Sequence, residues 1–450
     1  MNASRGDWTT VRVSDVALVQ GGIQKQAKRR PVRNKYPFLR VANVLRGSLE
    51  LGDVHEIELF NDEINRFRLE AGDLLVVEGN GSPDQIGRAA LWDGSISDCV
   101  HQNHLIRVRP SSKILPKFLA YAWNSPTVSA HLRNIAGTTS GLYTLSTAKI
   151  KSVEIPICDV DQQRRIVSVL EDHMSRIDAA EVGLRRSMRR LSALQHAFLS
   201  SVLLGAAVSG PRECKLLPEI GIDDGVSSPL PHGWQWLRLD DVADVAGGVT
   251  KDSKRQSDPA FVEVPYLRVA NVQRGHLNLD NVATIRVAPK KADALRLQPG
   301  DVLLNEGGDR DKLARGWIWE GQIDRCIHQN HVFRARVRGG LIDPRLLSWA
   351  ANTLGAPWAE RNGKQTTNLA SISLSKIRLM PIPVPPREIQ PGLVQQISDQ
   401  LAGIDRLAKQ VVSNLARSQA LRSSLLEAAF SGRLIGRASD VDMVEELAGV

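Results

Sequence analysis

The chain has 450 residues, 42% of them hydrophobic, which is too much for one ordinary domain and enough for two to four real cores. Lys plus Arg outnumber Asp plus Glu by 58 to 49, a formal charge of +9 that suits a polyanionic partner. No run of about 18 apolar residues exists to span a membrane, and residues 1–8 lack the apolar core of a secretory leader. The four cysteines, Cys99, Cys158, Cys214 and Cys326, are too sparse for a disulfide framework, so a reduced, cytoplasmic setting is expected.

Read in chain order, the sequence states itself twice. Leu39–Val44 recurs letter for letter as Leu267–Val272, and His101-Gln102-Asn103-His104 as His328-Gln329-Asn330-His331. Gly72-Asp73-Leu74-Leu75 returns as Gly300-Asp301-Val302-Leu303, and the offsets stay between 226 and 228 residues. Chance matches would not hold register over such a span. The period is far too long for a solenoid, so the chain is a tandem duplication of a domain with an appendage.

Each copy opens with a mixed region, residues 8–157 and 234–384. Short Val/Ile/Leu runs such as Leu74–Val77 and Leu105–Val108 are broken by Gly, Asn, Asp and Pro. They predict strands and turns with a few short helices, one near Pro116–Asn124. The period then becomes helical. Leu170, Ile177, Leu184, Leu191 and Phe198 stand seven apart, as do Ile397, Ile404, Val411 and Leu425, with Ser418 the exception. Accessory apolar residues, among them Leu401, Leu407, Leu415 and Leu421, fill in between. Heptads of this length predict long helices packed on each other, each a rod of roughly 60 Å. Asp161 reads as the N-cap of the first, and Pro391 as the first helical residue of the second.

The expected fold is α+β: two tandem mixed α/β domains, each followed by a long helix, the helices forming an antiparallel coiled coil. The boundaries are residues 1–158 for the first domain, 159–205 for its helix and 206–233 for a Gly/Pro-rich linker. The second domain takes 234–386, its helix 387–432, and a tail 433–450.

The tools of a DNA-acting enzyme do not appear. There is no phosphate loop, no glycine-rich dinucleotide motif and no Asn/Asp-Pro-Pro-Tyr/Phe tetrapeptide. Cys99, His101 and His104 resemble a metal set, but on one extended strand Cys99 and His101 would share a face and His104 take the other. Glu78 and Glu306, each before glycine and without a following E-x-K lysine, read as turn positions. No catalytic residue and no metal ligand is assigned. Composition and repetition leave a DNA-binding module, an enzyme with fused readers and a coiled-coil scaffold open.

The duplicated Leu39–Val44 and Leu267–Val272 runs, with Arg46-Gly47 and Arg274-Gly275 after them, resemble the target-recognition domains of Type I restriction-modification specificity subunits. So do the Gly72–Leu75 and His101–His104 motifs, and the exit Ile155-Pro156-Ile157 with Asp161–Val167 leading into a long helix. The resemblance covers almost the whole chain. It departs at Arg387–Gly392, where the family's Gln-Arg-Arg-Ile start is missing.

The resemblance implies two recognition domains, each reading half of a split, asymmetric DNA target, with the antiparallel helices as a ruler for the gap between halves. It implies a non-catalytic chain without cofactor of its own. Two modification subunits would bring S-adenosylmethionine, and restriction subunits would bring ATP and magnesium.

Comparing the copies sorts the candidate DNA-binding residues. Residues identical in both cannot distinguish two half-sites: Lys25/Lys251, Arg88/Arg315 and Thr139/Thr366 are assigned to shared work, with Arg40/Arg268, Asn43/Asn271, Gln102/Gln329 and Asn103/Asn330. Reading is expected where the copies differ. The first such segment carries Lys28, Arg29, Arg30 and Arg33 against Lys254, Arg255 and Gln256. The second carries Asn80, Ser82 and Gln85 against Arg310 and Lys312. The third carries Thr138, Thr139 and Ser140 against Lys364, Gln365 and Thr366. Arg and Lys favour guanine edges, while Asn and Gln favour adenine. Gln85 is expected to read a base and Arg29 to hold a phosphate.

Overall fold

The computed structural model describes residues 8–139, 141–213, 217, 222–225, 228–253, 256–365 and 369–434. They form two compact units, residues 1–185 with 411–450, and residues 186–410. The division falls inside both long helices, so each unit holds one mixed domain and a piece of each helix.

In the first unit, Ala17–Gly21, Leu105–Pro110, Leu74–Val77 and Ala89–Leu91 form an antiparallel four-stranded sheet in that order. Leu74–Val77 is apolar at every position because it feeds two cores. Leu74 and Val76 enter one cluster with Ile106, Val108 and Phe118. Leu75 and Val77 enter another with Leu39, Trp92 and Leu105. A three-stranded sheet, His55–Glu58, Lys35–Leu39 and Val100–His101, packs beyond it. Thr9–Arg12 pairs with Glu154–Ile157, joining the start of the domain to its exit.

The second unit repeats this strand for strand. Ala243–Ala246, Val332–Val337, Val302–Asn305 and Gly316–Ile318 form its four-stranded sheet. Ala283–Val287, Val262–Leu267 and Ile327–His328 form the three-stranded one, and Gln235–Arg238 pairs with Pro381–Val384. The Gly-Asp motif has the same task in both. Asp73 is buried, bonds the Glu70 N–H at 2.7 Å and takes two bonds from Arg109 at 2.7 and 2.8 Å. Asp301 does the same with Gln298 and Arg336.

The Leu39–Val44 motif is not the strand-like run its sequence suggests. Val41–Asn43 is a 3-10 turn. Asn43 is buried, accepts from Arg40 N at 2.8 Å and donates to Glu50 O at 2.8 Å and Asp53 O at 2.9 Å. Asn271 makes the matching three bonds to Arg268, Asn278 and Asn281. Asn43→Ala would orphan these groups, and we expect a loss of about 3 kcal/mol in urea unfolding; Asn43→Asp, which keeps the acceptor, should lose less.

The long helices are Val160–Leu203 and Gln390–Phe430. The first starts one residue earlier than expected: Asp159, not Asp161, caps it by accepting from Gln162 N at 2.8 Å. Asp161 pairs with Arg164 on the surface instead. Pro391 is the second helical residue, not the first. The missing Gln-Arg-Arg-Ile start has a physical answer. Gln163 bonds Leu115 N, Lys113 O and Cys158 O. Gln390, 227 residues on, bonds Asp343 N, Leu341 O and Pro385 O in the same pattern. The buried glutamine is kept and its neighbours are free to change.

In the first unit Ile166, Leu170, Met174 and Ile177 share a core with Leu425, Leu426, Ala428 and Ala429, and Arg422 bonds Asp178. In the second, Leu199, Val202 and Leu203 share a core with Val394 and Ile397. The middle heptad positions are less enclosed than the spacing suggests. Leu184, Leu191, Phe198, Ile404 and Val411 are half-buried, and Leu407 is 57% exposed. Part of the 206–233 linker is docked. Arg212 bonds Leu204 O, Gly205 O and Pro229 O, and Asp224 meets Arg238 at 2.7 Å. Cys214 and tail residues 435–450 lie outside the described residues. No described helix is long and apolar enough to cross a membrane.

Candidate nucleic-acid interface

The first variable segment begins with the 3-10 turn Ala27–Arg29 and runs exposed to the strand Lys35–Leu39. Its shape comes from Glu58. That carboxylate accepts from the backbone N–H groups of Val32, Arg33 and Asn34 at 2.7, 3.0 and 2.8 Å, which hold its pKa below the usual range. Lys25, Lys28, Arg30 and Arg33 remain exposed. Lys25, Arg30 and His55 help line a cleft of about 980 Å³.

Arg29 has a different task from the expected phosphate contact. Its guanidinium forks onto Glu63 at 2.8 and 2.7 Å, stacks over Phe60 at 5.3 Å, and is only 13% exposed. The same pair holds the Glu63 carboxyl down to about 2. A fork already filled by a carboxylate is not offered to DNA. Gln256 is also committed. Its amide donates to Asp252 O and Arg286 O and accepts from Arg286 N, which fastens the loop rather than presenting an edge. Lys254 and Arg255 lie outside the described residues. Lys251 is exposed.

The second and third variable segments are one structure. Gly79–Asn80, Leu142–Thr144 and Gly137–Thr139 form a three-stranded sheet, with Tyr143 opposite both Asn80 and Thr138. Asn80 accepts from Ser82 N at 2.9 Å, and Gln85 ends the exposed 3-10 turn Pro83–Gln85. Gly307–Gly308, Ala370–Ser371 and Lys364–Gln365 build the same sheet in the second unit. There Arg310 reaches Gln365 Oε1 at 3.1 Å, and Lys312 pairs with Asp309. Lys364 and Gln365 are exposed, as is Thr138. The Thr139 side chain, Ser140 and Thr366 lie outside what is described.

Arg88 is a holder, which corrects its place among the DNA-binding residues. It is 9% exposed and donates to Val44 O at 2.7 Å and Val41 O at 3.1 Å; burial lowers its pKa. In the second unit the matching carbonyls, Val272 O and Val269 O, are met by Asn305 at 2.8 and 3.2 Å. Arg315 is half-buried beside them. The letter is repeated there, but the task has moved to another residue.

The His-Gln-Asn-His motif divides in two. It is not one extended strand: Val100–His101 and Leu105–Pro110 belong to different sheets, with the motif's end turning between them. His101 and His328 are fully buried, with Nδ1 on Leu105 O at 2.9 Å and Val332 O at 2.6 Å. Burial pushes both imidazoles down to about 4 and the Cys99 and Cys326 thiols up to about 12. Among the described residues no cluster of three or more His, Cys, Asp or Glu could hold a metal. His104 and His331 are exposed and meet Glu78 and Glu306 at 2.9 and 2.5 Å. The sequence reading set both carboxylates aside as turn residues. Their recurrence at the histidines' own repeat offset was the available signal.

Residues 5–185 match the Type I restriction modification DNA specificity domain. The EcoKI specificity subunit of Escherichia coli K12 is 29% identical over 38% of this chain and 37% of its own length. The EcoBI specificity subunit of Escherichia coli is 20% identical over 97% of this chain and 89% of its own. The more similar relatives are thus matched over well under two thirds of their length. A chain solved in work on assembly and conformational transition of the type I R-M system shares the fold, with a TM-score of 0.66 at 18% identity, covering 95% of this chain and 98% of that one. Repeated mixed α/β domains with long helices define a class of modular recognition proteins. Within it, this chain belongs to the Type I restriction-modification specificity subunits.

Proposed function

We propose that the chain binds a bipartite, asymmetric DNA target, one recognition domain per half-site, and is the non-catalytic scaffold for its partner subunits in the cytoplasm. The observation that carries this is one frame used twice with different surface segments. The four-stranded sheets, the Asn43/Asn271 clamp and the Gln163/Gln390 latch are common, while the small sheet at 79–80, 137–139 and 142–144 presents different side chains from its counterpart. A shared frame meets shared partners, and a variable face meets a variable ligand. Gln85 is the base reader we favour in the first domain, through a paired bond to adenine. Lys25, Lys28, Arg30 and Arg33 grip phosphates, which position without specifying.

The two helices act as an antiparallel coiled-coil ruler. What supports this is that the start of each shares a core with the end of the other. Ten base pairs span about 34 Å, within reach of a rod of roughly 60 Å. Modification subunits supply S-adenosylmethionine chemistry, and restriction subunits supply ATP and magnesium.

Methylome mapping tests the reading. Exchanging residues 8–157 for another family member's first domain should change one half-site and leave the other intact. Adding four residues inside one helix should alter the gap, since they extend it by about 6 Å. An unchanged gap would exclude the ruler, and methyl transfer to DNA by the pure chain alone would exclude a non-catalytic role.

A further inference from the structure

In each unit one exposed histidine sits where the variable segments meet, and the main chain fixes it there. In the first, Asn103 N bonds Ile23 O, so the loop leading to Lys28 starts beside it. Glu78 N bonds His104 O, and Leu145 N bonds Glu78 O, so both strands of the small reading sheet leave from this point. The second unit repeats all three bonds with Asn330, Val249, Glu306, His331 and Ile372.

The side chains repeat too. His104 Nδ1 lies 2.9 Å from Glu78 and His331 Nδ1 2.5 Å from Glu306, with the rings 55% and 54% exposed. Exposed pairs of this kind add little to stability. Both pairs nonetheless stand unchanged beside segments that diverge. A group identical in both domains cannot tell one half-site from the other, so its ligand is something both half-sites share.

We propose that His104 and His331 each bind a backbone phosphate of the DNA through Nε2, with Glu78 and Glu306 orienting the rings; this rests on the DNA-binding reading above. With a carboxylate at Nδ1, that nitrogen carries the hydrogen. In the unbound second unit, Asn330 Nδ2 lies 3.4 Å from His331 Nε2, which therefore accepts and leaves the ring neutral. To donate to a phosphate, Nε2 must gain a hydrogen. The imidazolium then lies between two anions, each stabilising it. Each domain therefore takes up one proton when it binds. The other ionisable groups on the joined segments are Lys25 and Tyr143 in the first unit and Lys251 in the second. Both lysines are already charged at neutral pH and Tyr143 is neutral there, so none titrates in the same range.

The test is DNA affinity of the full chain with its modification subunits, by anisotropy. It uses a duplex carrying the methylome-mapped target and a scrambled duplex, at pH 6.5 and 8.5 and several salt concentrations. His104→Ala and His331→Ala should each lose about tenfold on both duplexes at pH 6.5, the size of one charge-assisted hydrogen bond. Each should flatten the salt dependence by about one unit of slope. His104→Gln, which donates without titrating, should keep more of the affinity and remove that domain's pH dependence; its unchanged melting temperature separates lost contact from lost fold. Alanine variants with wild-type affinity and slope would overturn the proposal, as would a loss confined to one base position. If the wild-type complex bound neither duplex, the DNA-binding reading itself would fall.

Discussion

Acidifying the protein from pH 7 to pH 4 should cost each domain about 3 kcal/mol through one histidine. His101 and His328 titrate near 4 in the folded chain, pushed down from 6.5 by burial. The unfolded chain binds the proton first, so stability is complete above about 6.5, falls as the pH drops, and is fully lost near 4. A shift of this size corresponds to about 3 kcal/mol per group. Geometry gives the cause. Nδ1 already serves a backbone carbonyl, while Nε2 is buried in both rings with no hydrogen-bond partner among the described residues. Protonation would place an N–H and a charge where nothing receives them. Glu63, held to about 2 by Arg29, weakens the fold only lower, as the pH falls through about 4.5 to 2. Urea unfolding across pH should therefore show a first loss between 6.5 and 4. His101→Gln should remove that loss from the first domain and His328→Gln from the second. A flat wild-type profile from 7 to 4 would show that the rings accept a proton without penalty.

The two histidines of one motif show what the sequence disclosed and what it hid. Repetition made the tandem architecture legible, because in-register identities over 226 to 228 residues need no structural knowledge. Heptads made the helices legible, and the strand Leu74–Val77 appears as read. Contacts between distant segments were not legible. Nothing local distinguishes His101, enclosed under the sheet, from His104 three residues on, which is exposed beside Glu78. Arg29 looked like part of a basic phosphate track because its neighbours are basic. Its partner Glu63 is 34 residues away and contacts it only in the folded chain. Gln85 stays exposed at the end of its turn, as a reading residue must. Identical letters also misled. Arg88 and Arg315 occupy one repeat position, yet Asn305 took over the second domain's carbonyls. Repetition locates a shared frame but does not guarantee that each matched residue keeps its task.

Leu425→Asp should be the most damaging single change in the helices, at about 4 kcal/mol or more, while Leu184→Asp should cost only about 1 kcal/mol. Heptad spacing alone ranks them equally, since both occupy the apolar repeat. Burial separates them. Leu425 is 0% exposed and shares the first unit's core with Leu170, also 0%, and with Ile166, Met174 and Ile177. A carboxylate there loses its water without gaining a cation, because Arg422 is already committed to Asp178 and Glu181. Leu184 is half-buried, so an aspartate there can turn to solvent. Leu425→Ala, which only removes volume, should cost about 3 kcal/mol. Leu407→Ala, at 57% exposure, should be near neutral. Urea midpoints for the four variants test the order Leu425→Asp, Leu425→Ala, Leu184→Asp, Leu407→Ala from most to least destabilised. Equal losses at 184 and 425 would mean that the seam is enclosed along its whole length. The predicted order instead fastens the helices at the ends that enter the domain cores, leaving their middle positions tolerant of polar substitution.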